Sequence, residues 1–125
     1  MMRFIYLIAF LPLLAFNSAD SLSDITRAMS SGSASTIGQY FDENVEIALI
    51  QEERIYNKAQ AINKLDQFFN QHQPKSFSQV HEGSSKGNAS KYCIGNLQTS
   101  DNDFRVYMFI SVENNQFKIQ ELRIE

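Results

Sequence analysis

Four consecutive segments of about ten residues, 75–84, 90–100, 103–113 and 116–125, fill the second half of the chain. Only short breaks separate them, holding Gly87 and Asn88, Asp101 and Asn102, and Asn114 and Asn115. These residue types tolerate the backbone that tight turns require, so the pattern predicts three successive hairpins and an antiparallel meander. Segment 103–113 shows the sheet's two faces best. Phe104, Val106, Met108, Ile110 and Val112 share one side, and Arg105, Tyr107, Phe109 and Ser111 the other. In the last segment Phe117 and Ile119 are out of phase with Leu122 and Ile124, which predicts either a bulge near Gln120 or a strand buried on both faces.

A meander with one apolar face needs a cover, and the first half of the chain supplies helices. Ser21 and Asp24 read as a helix start, with Leu22, Ile25 and Met29 on one face and Ser30, Ser31 and Gly32 as the stop. Ser33 reads as the cap of a second short helix carrying Ile37, Tyr40 and Phe41, after which Asp42, Glu43 and Asn44 turn the chain. Val45, Ile47 and Leu49 then alternate as a strand. Residues 51–54 read as a turn, and Ile55 and Tyr56 as a second short strand. Asn57 and Gln60 cap the longest helix, whose buried stripe is Ile62, Leu65, Phe68 and Phe69 and which ends before Pro74.

The N-terminus limits where such a domain works. Arg3 precedes an apolar run from residue 4 to residue 16, interrupted by Pro12 and followed by Asn17, Ser18 and Ala19. A positive start, a short apolar stretch and a small residue at the cut are the order of an export signal, placed here at 1–19 with one domain at 20–125. The run is shorter than the roughly 20 residues a membrane helix needs, so no stable insertion is expected after cleavage. Removing Arg3 leaves ten bases against fourteen acids. A mildly acidic domain with scattered bases has no electrostatic reason to bind nucleic acid. The single cysteine, Cys93, rules out an internal disulfide, and between Tyr92 and Ile94 it reads as a buried apolar group.

The stretches YFDENVEIALI, YNKAQAINKLDQFFNQHQPKSF, KYCIGNLQTSDNDFRVYMFI and IQELRIE resemble the exported bacterial family known as domain of unknown function 4783. The element order resembles the nuclear-transport-factor-2-like, or cystatin-like, fold. The resemblance covers residues 22–125 and implies an α+β cone, in which short N-terminal helices and one long helix pack on a curved antiparallel sheet. The family carries no assigned catalytic residues, and proteins of this fold often pair through their sheets, which implies a homodimer.

No spacing of residues points to a cofactor or a metal. His72 and His81 lack a cysteine partner nearby, and Gly83, Gly87 and Gly95 form no phosphate loop. His72 reads as a cation at the end of the long helix. Glu46, Glu52, Glu53, Asp66, Glu121 and Glu125 read as solvated. Enzymes resembling this fold use an Asp, His or Tyr inside the cone, so Tyr40, Tyr56 and His81 are the candidate pocket residues. Arg105, Tyr107 and Phe109, joined by Arg123, form the candidate interface, being too apolar for an idle solvent face. The expected function is a non-enzymatic exported binding module, holding a small apolar ligand in the cone or a partner on the sheet. The alternative is a small lyase, isomerase or hydrolase, which a cone filled by Phe41, Leu65, Phe69 and Met108 would rule out.

Overall fold

The computed structural model describes residues 18–125, with side chains from Ser21 onward. Apart from Ser18 and Ala19 the proposed leader lies outside the described residues. The order is α1 (Ser18–Ser31), α2 (Ala34–Gly38), β1 (Phe41–Leu49), β2 (Glu52–Asn57), α3 (Lys58–Gln71), β3 (Pro74–Ser84), β4 (Ser90–Thr99), β5 (Asp103–Glu113) and β6 (Gln116–Ile124), with a 3-10 turn at Lys86–Asn88. Among the described residues no helix is long and apolar enough to cross a membrane.

The six strands form one sheet in the order β2-β1-β6-β5-β4-β3. Strands β3 to β6 are the predicted meander. The chain closes the sheet by laying β6 parallel to β1, while β1 and β2 form a hairpin at the far edge. The three helices cover one face of this mixed sheet. Val45 and Ile47 of β1, Leu97 of β4, Val106, Met108 and Ile110 of β5, and Ile119, Leu122 and Ile124 of β6 meet Ile25, Met29, Ile37, Leu65 and Phe69 there in a single buried cluster.

Local rules explain most boundaries. In α1, Leu22, Ile25, Ala28 and Met29 make the buried stripe. The helix stops because Gly32 takes φ +72, which lets the Ser33 N–H donate to the Ala28 carbonyl at 2.9 Å. The Ser33 hydroxyl in turn accepts from the Thr36 N–H and starts α2. A reciprocal capping box starts α3: the Gln60 N–H donates to Asn57 at 2.9 Å, and the Asn57 N–H donates to the Gln60 side chain.

Three local expectations fail. Ser21 is not a helix cap, because α1 begins at Ser18 and Ser21 is buried inside it at 3% exposure. Asp42 to Asn44 do not turn the chain between elements. They are an irregularity within β1, whose pairing with β6 jumps from Phe41 opposite Ile119 to Glu46 opposite Glu121. The 51–54 turn is shorter: Ile50, at φ 56, and Gln51 make it, and β2 already begins at Glu52.

The phase break in β6 resolves as a bulge. Phe109 pairs with Glu121 but the next residue, Ile110, pairs with Ile119, which leaves Gln120 as the extra residue. Phe117, Ile119, Leu122 and Ile124 are therefore all buried on the same face.

Candidate functional site

Cross-strand register fixes what the uncovered face of the sheet displays, since residues directly opposite one another point to the same side. One row runs across all six strands from Glu53 through Ala48, Arg123, Tyr107 and Ile94 to His81. The next row is Ile55, Glu46, Glu121, Phe109, Tyr92 and Gly83. Large apolar and aromatic groups thus occupy β4 and β5, and charge occupies β6, β1 and β2. Tyr92, Ile94, Tyr107 and Phe109 form the centre of this face as four mutually neighbouring, half-buried side chains.

The edge of this patch is held by a close approach. A Cβ on Gly83 would lie 2.2 Å from Cε1 of Tyr92, so the Tyr92 ring rests where any larger residue would stand. His81 lies against the same ring at 5.8 Å between centroids.

On the charged side, Arg123 is shared by three carboxylates. Its Nε donates to Glu121 and its Nη2 lies 2.9 Å from Glu53 and 3.8 Å from Glu46. The hydrogen bond between Glu46 and Glu53 raises the pKa of Glu46, helped by desolvation and the charge of Glu121, and the same bond lowers that of Glu53. One guanidinium facing three carboxylates leaves this half of the face acidic.

The expected interface residues Tyr107, Phe109 and Arg123 are therefore neighbours, with Arg105 exposed two residues before Tyr107 on the same side. Sequence reasoning missed Tyr92 and Ile94, which complete the patch. The signal was present, because Cys93 faces the core at 1% exposure and its two neighbours must face outward.

The expected pocket residues are not brought together. Tyr56 lies on β2 and His81 on β3, the opposite edges of the sheet. Tyr56 packs at the rim of the core and its hydroxyl donates to Glu52 at 3.2 Å. His81 does not point into the cone. Val80 is an extra residue between Gln79, opposite Gly95, and His81, opposite Ile94, and this bulge moves His81 to the uncovered face. Tyr40 lies elsewhere again, in a cleft at the start of β1, where its hydroxyl donates to Asp24 Oδ2 at 2.7 Å. Burial, and then Asp24, push its pKa up to about 12.

His72 does not cap α3 with its ring. The imidazole stacks between Phe68 and Phe104 and its Nδ1 sits 2.8 Å from Asp101. The pKa of Asp101 is lowered by Thr99 first and also by His72. Burial pushes the Cys93 thiol up to about 11, so it is a poor nucleophile.

The interior of the cone offers no comparable chemistry. Phe41, Leu65, Phe69 and Met108 are all buried in the core cluster, and Ser21 is the one buried polar side chain among the described residues. No group of three or more His, Cys, Asp or Glu that could hold a metal occurs among the described residues.

Residues 22–125 match the family described as domain of unknown function DUF4783. The chain belongs to this family. Among solved structures of DUF4783 proteins, one from Bacteroides uniformis is 25% identical, with a TM-score of 0.78 over 82% of this chain and 94% of that one. Another, from Bacteroides ovatus, is also 25% identical, with a TM-score of 0.77 over 82% of this chain and 91% of that one. An NTF2-like protein of unknown function from Cytophaga hutchinsonii is 10% identical, with a TM-score of 0.61 over 87% of this chain and 88% of that one. That last likeness shows the fold alone, and the DUF4783 domain here has the NTF2-like architecture. No curated protein matches the chain.

Proposed function

We propose that this DUF4783 protein is an exported, non-enzymatic interaction module that binds a second copy of itself through the uncovered face of its sheet. The observation that carries the reading is the cluster of Tyr92, Ile94, Tyr107 and Phe109 on β4 and β5, half-buried and bordered by the ion-paired carboxylates around Arg123. An apolar, aromatic centre with a charged border is the anatomy of a protein interface. A two-fold axis near Tyr107 and Ile94 lays the quartet on its own copy and leaves the Arg123 cluster at the rim. The reading is favoured over a lyase, isomerase or hydrolase because the cone is filled with apolar side chains. The same packing favours the sheet face over a small apolar ligand held in the cone.

The test is light scattering on the purified protein and its Tyr107→Glu variant. Tyr107 is only half-buried and outside the core, so the variant should keep its circular dichroism spectrum while its mass falls from dimer to monomer. An unchanged mass with an unchanged spectrum would remove the sheet face as the interface.

A further inference from the structure

The cleft beside Tyr40 is independent of the sheet face and differs from it chemically. Its volume is about 390 Å³, within the range of small-ligand sites. It is lined by parts of α1, the α2–β1 connection, the start of α3 and the β5–β6 turn, so four separate segments converge on it. Tyr40, Phe41 and Phe117 supply aromatic surface, and Gln39, Asn115 and Gln116 supply amides.

Its charge runs against the rest of the molecule. The chain has a net charge of −3, yet the cleft is lined by two lysines, Lys58 and Lys118, and one carboxylate, Asp24. Neither lysine has an ion-pair partner among the described residues. Lys58 is also the first residue of α3, where the helix dipole disfavours a cation, and the first turn of α3 holds no acid. The capping box occupies Gln60, which leaves the N–H groups of Lys58 and Ala59 without an intrahelical partner. Two lysines and a helix N-terminus are therefore gathered at one cleft with nothing on the protein to neutralise them, and such a setting accommodates an anion.

Asp24 adds a second requirement. Its Oδ2 already accepts from Tyr40, and among the described residues its Oδ1 accepts no hydrogen bond. A ligand that places only negative charge here would be repelled by Asp24, whereas one that also carries hydroxyl groups donates to Oδ1 and to the amide oxygens. We infer that the Tyr40 cleft is a binding site for a small hydroxylated carboxylate of the sugar-acid class, its carboxylate toward Lys58 and Lys118 and its hydroxyls toward Asp24, Gln39 and Gln116.

Amide chemical shifts of the purified full chain, titrated with galacturonate, test this. Saturable shifts confined to the residues around Tyr40, Lys58 and Lys118 are expected. Galactose, which lacks the carboxylate, and acetate, which lacks the hydroxyls, should each bind at least about tenfold more weakly, the effect of losing one hydrogen bond involving a charged group. The solvent-accessible substitutions Lys58→Ala and Lys118→Ala should each weaken galacturonate by a similar factor without changing the fold. Absence of saturable shifts, equal affinity for either control compound, or indifference to both lysine substitutions would each overturn the assignment.

Discussion

Replacing Leu65 with alanine tests whether the cone is solid. Leu65 projects from the middle of α3 at 0% exposure and belongs to the same buried cluster as Val45, Phe69, Met108 and Ile119. Losing most of the side chain removes the equivalent of about three methylenes, or about 2.4 kcal/mol at roughly 0.8 kcal/mol each. In a filled interior the surroundings relax only partly, and the cavity left behind raises the cost to about 3 to 4 kcal/mol. In a hollow cone Leu65 would already border empty space, no new cavity would be made, and the cost would stay nearer the transfer value or below it. Urea unfolding followed by circular dichroism reads the difference directly, with Asp66→Ala, an exposed neighbour on the same helix, as the control expected within about 0.5 kcal/mol of wild type. For a domain of this size the Leu65→Ala change should also lower Tm by at least about 12 °C, at roughly 4 °C or more per kcal/mol. A loss below about 1.5 kcal/mol with an unchanged denaturant slope would refute the filled-cone reasoning and return the enzyme alternative to consideration.

Two other predictions follow from titratable groups. The Tyr40 hydroxyl has its pKa raised in the folded protein from 10.0 to about 12, so its contribution is fully present below pH 10 and is lost as pH rises toward 12. Tyr40→Phe should cost about 1 kcal/mol at neutral pH and should lack the alkaline loss in that window; parallel stability curves for the two proteins would contradict this. Cys93, buried and with its thiol pushed up to about 11, should react with a thiol-specific disulfide reagent at pH 8 only as fast as the protein unfolds. Rapid modification of the native protein would place the thiol at the surface.

How far the sequence carried depended on the range of the interactions involved. The meander was legible because alternation and turn residues are local signals, and the Gln120 bulge was legible because it leaves four buried residues in two phases. Asn57 and Gln60 marked the start of α3 for the same reason. The face that His81 occupies was not legible, since the bulge at Val80 interrupts a segment with no strong alternation to betray it. Ser21 misled because its type and its spacing to Asp24 imitate a cap, whereas the helix extends one turn further back. The neighbours of Arg123 were out of reach for a different reason. Glu46 and Glu53 come from β1 and β2, and only the parallel pairing of β1 with β6 brings them to it. The Tyr40 cleft likewise depends on four segments that converge only in the folded chain.

Sedimentation equilibrium of the purified protein across a wide concentration range bears most directly on the sheet-face interface. Self-association through Tyr92, Ile94, Tyr107 and Phe109 predicts a reversible monomer–dimer equilibrium whose dimer survives moderate salt, because the centre of the patch is apolar and its ion pairs lie at the rim. A single species at monomer mass at every concentration would contradict it.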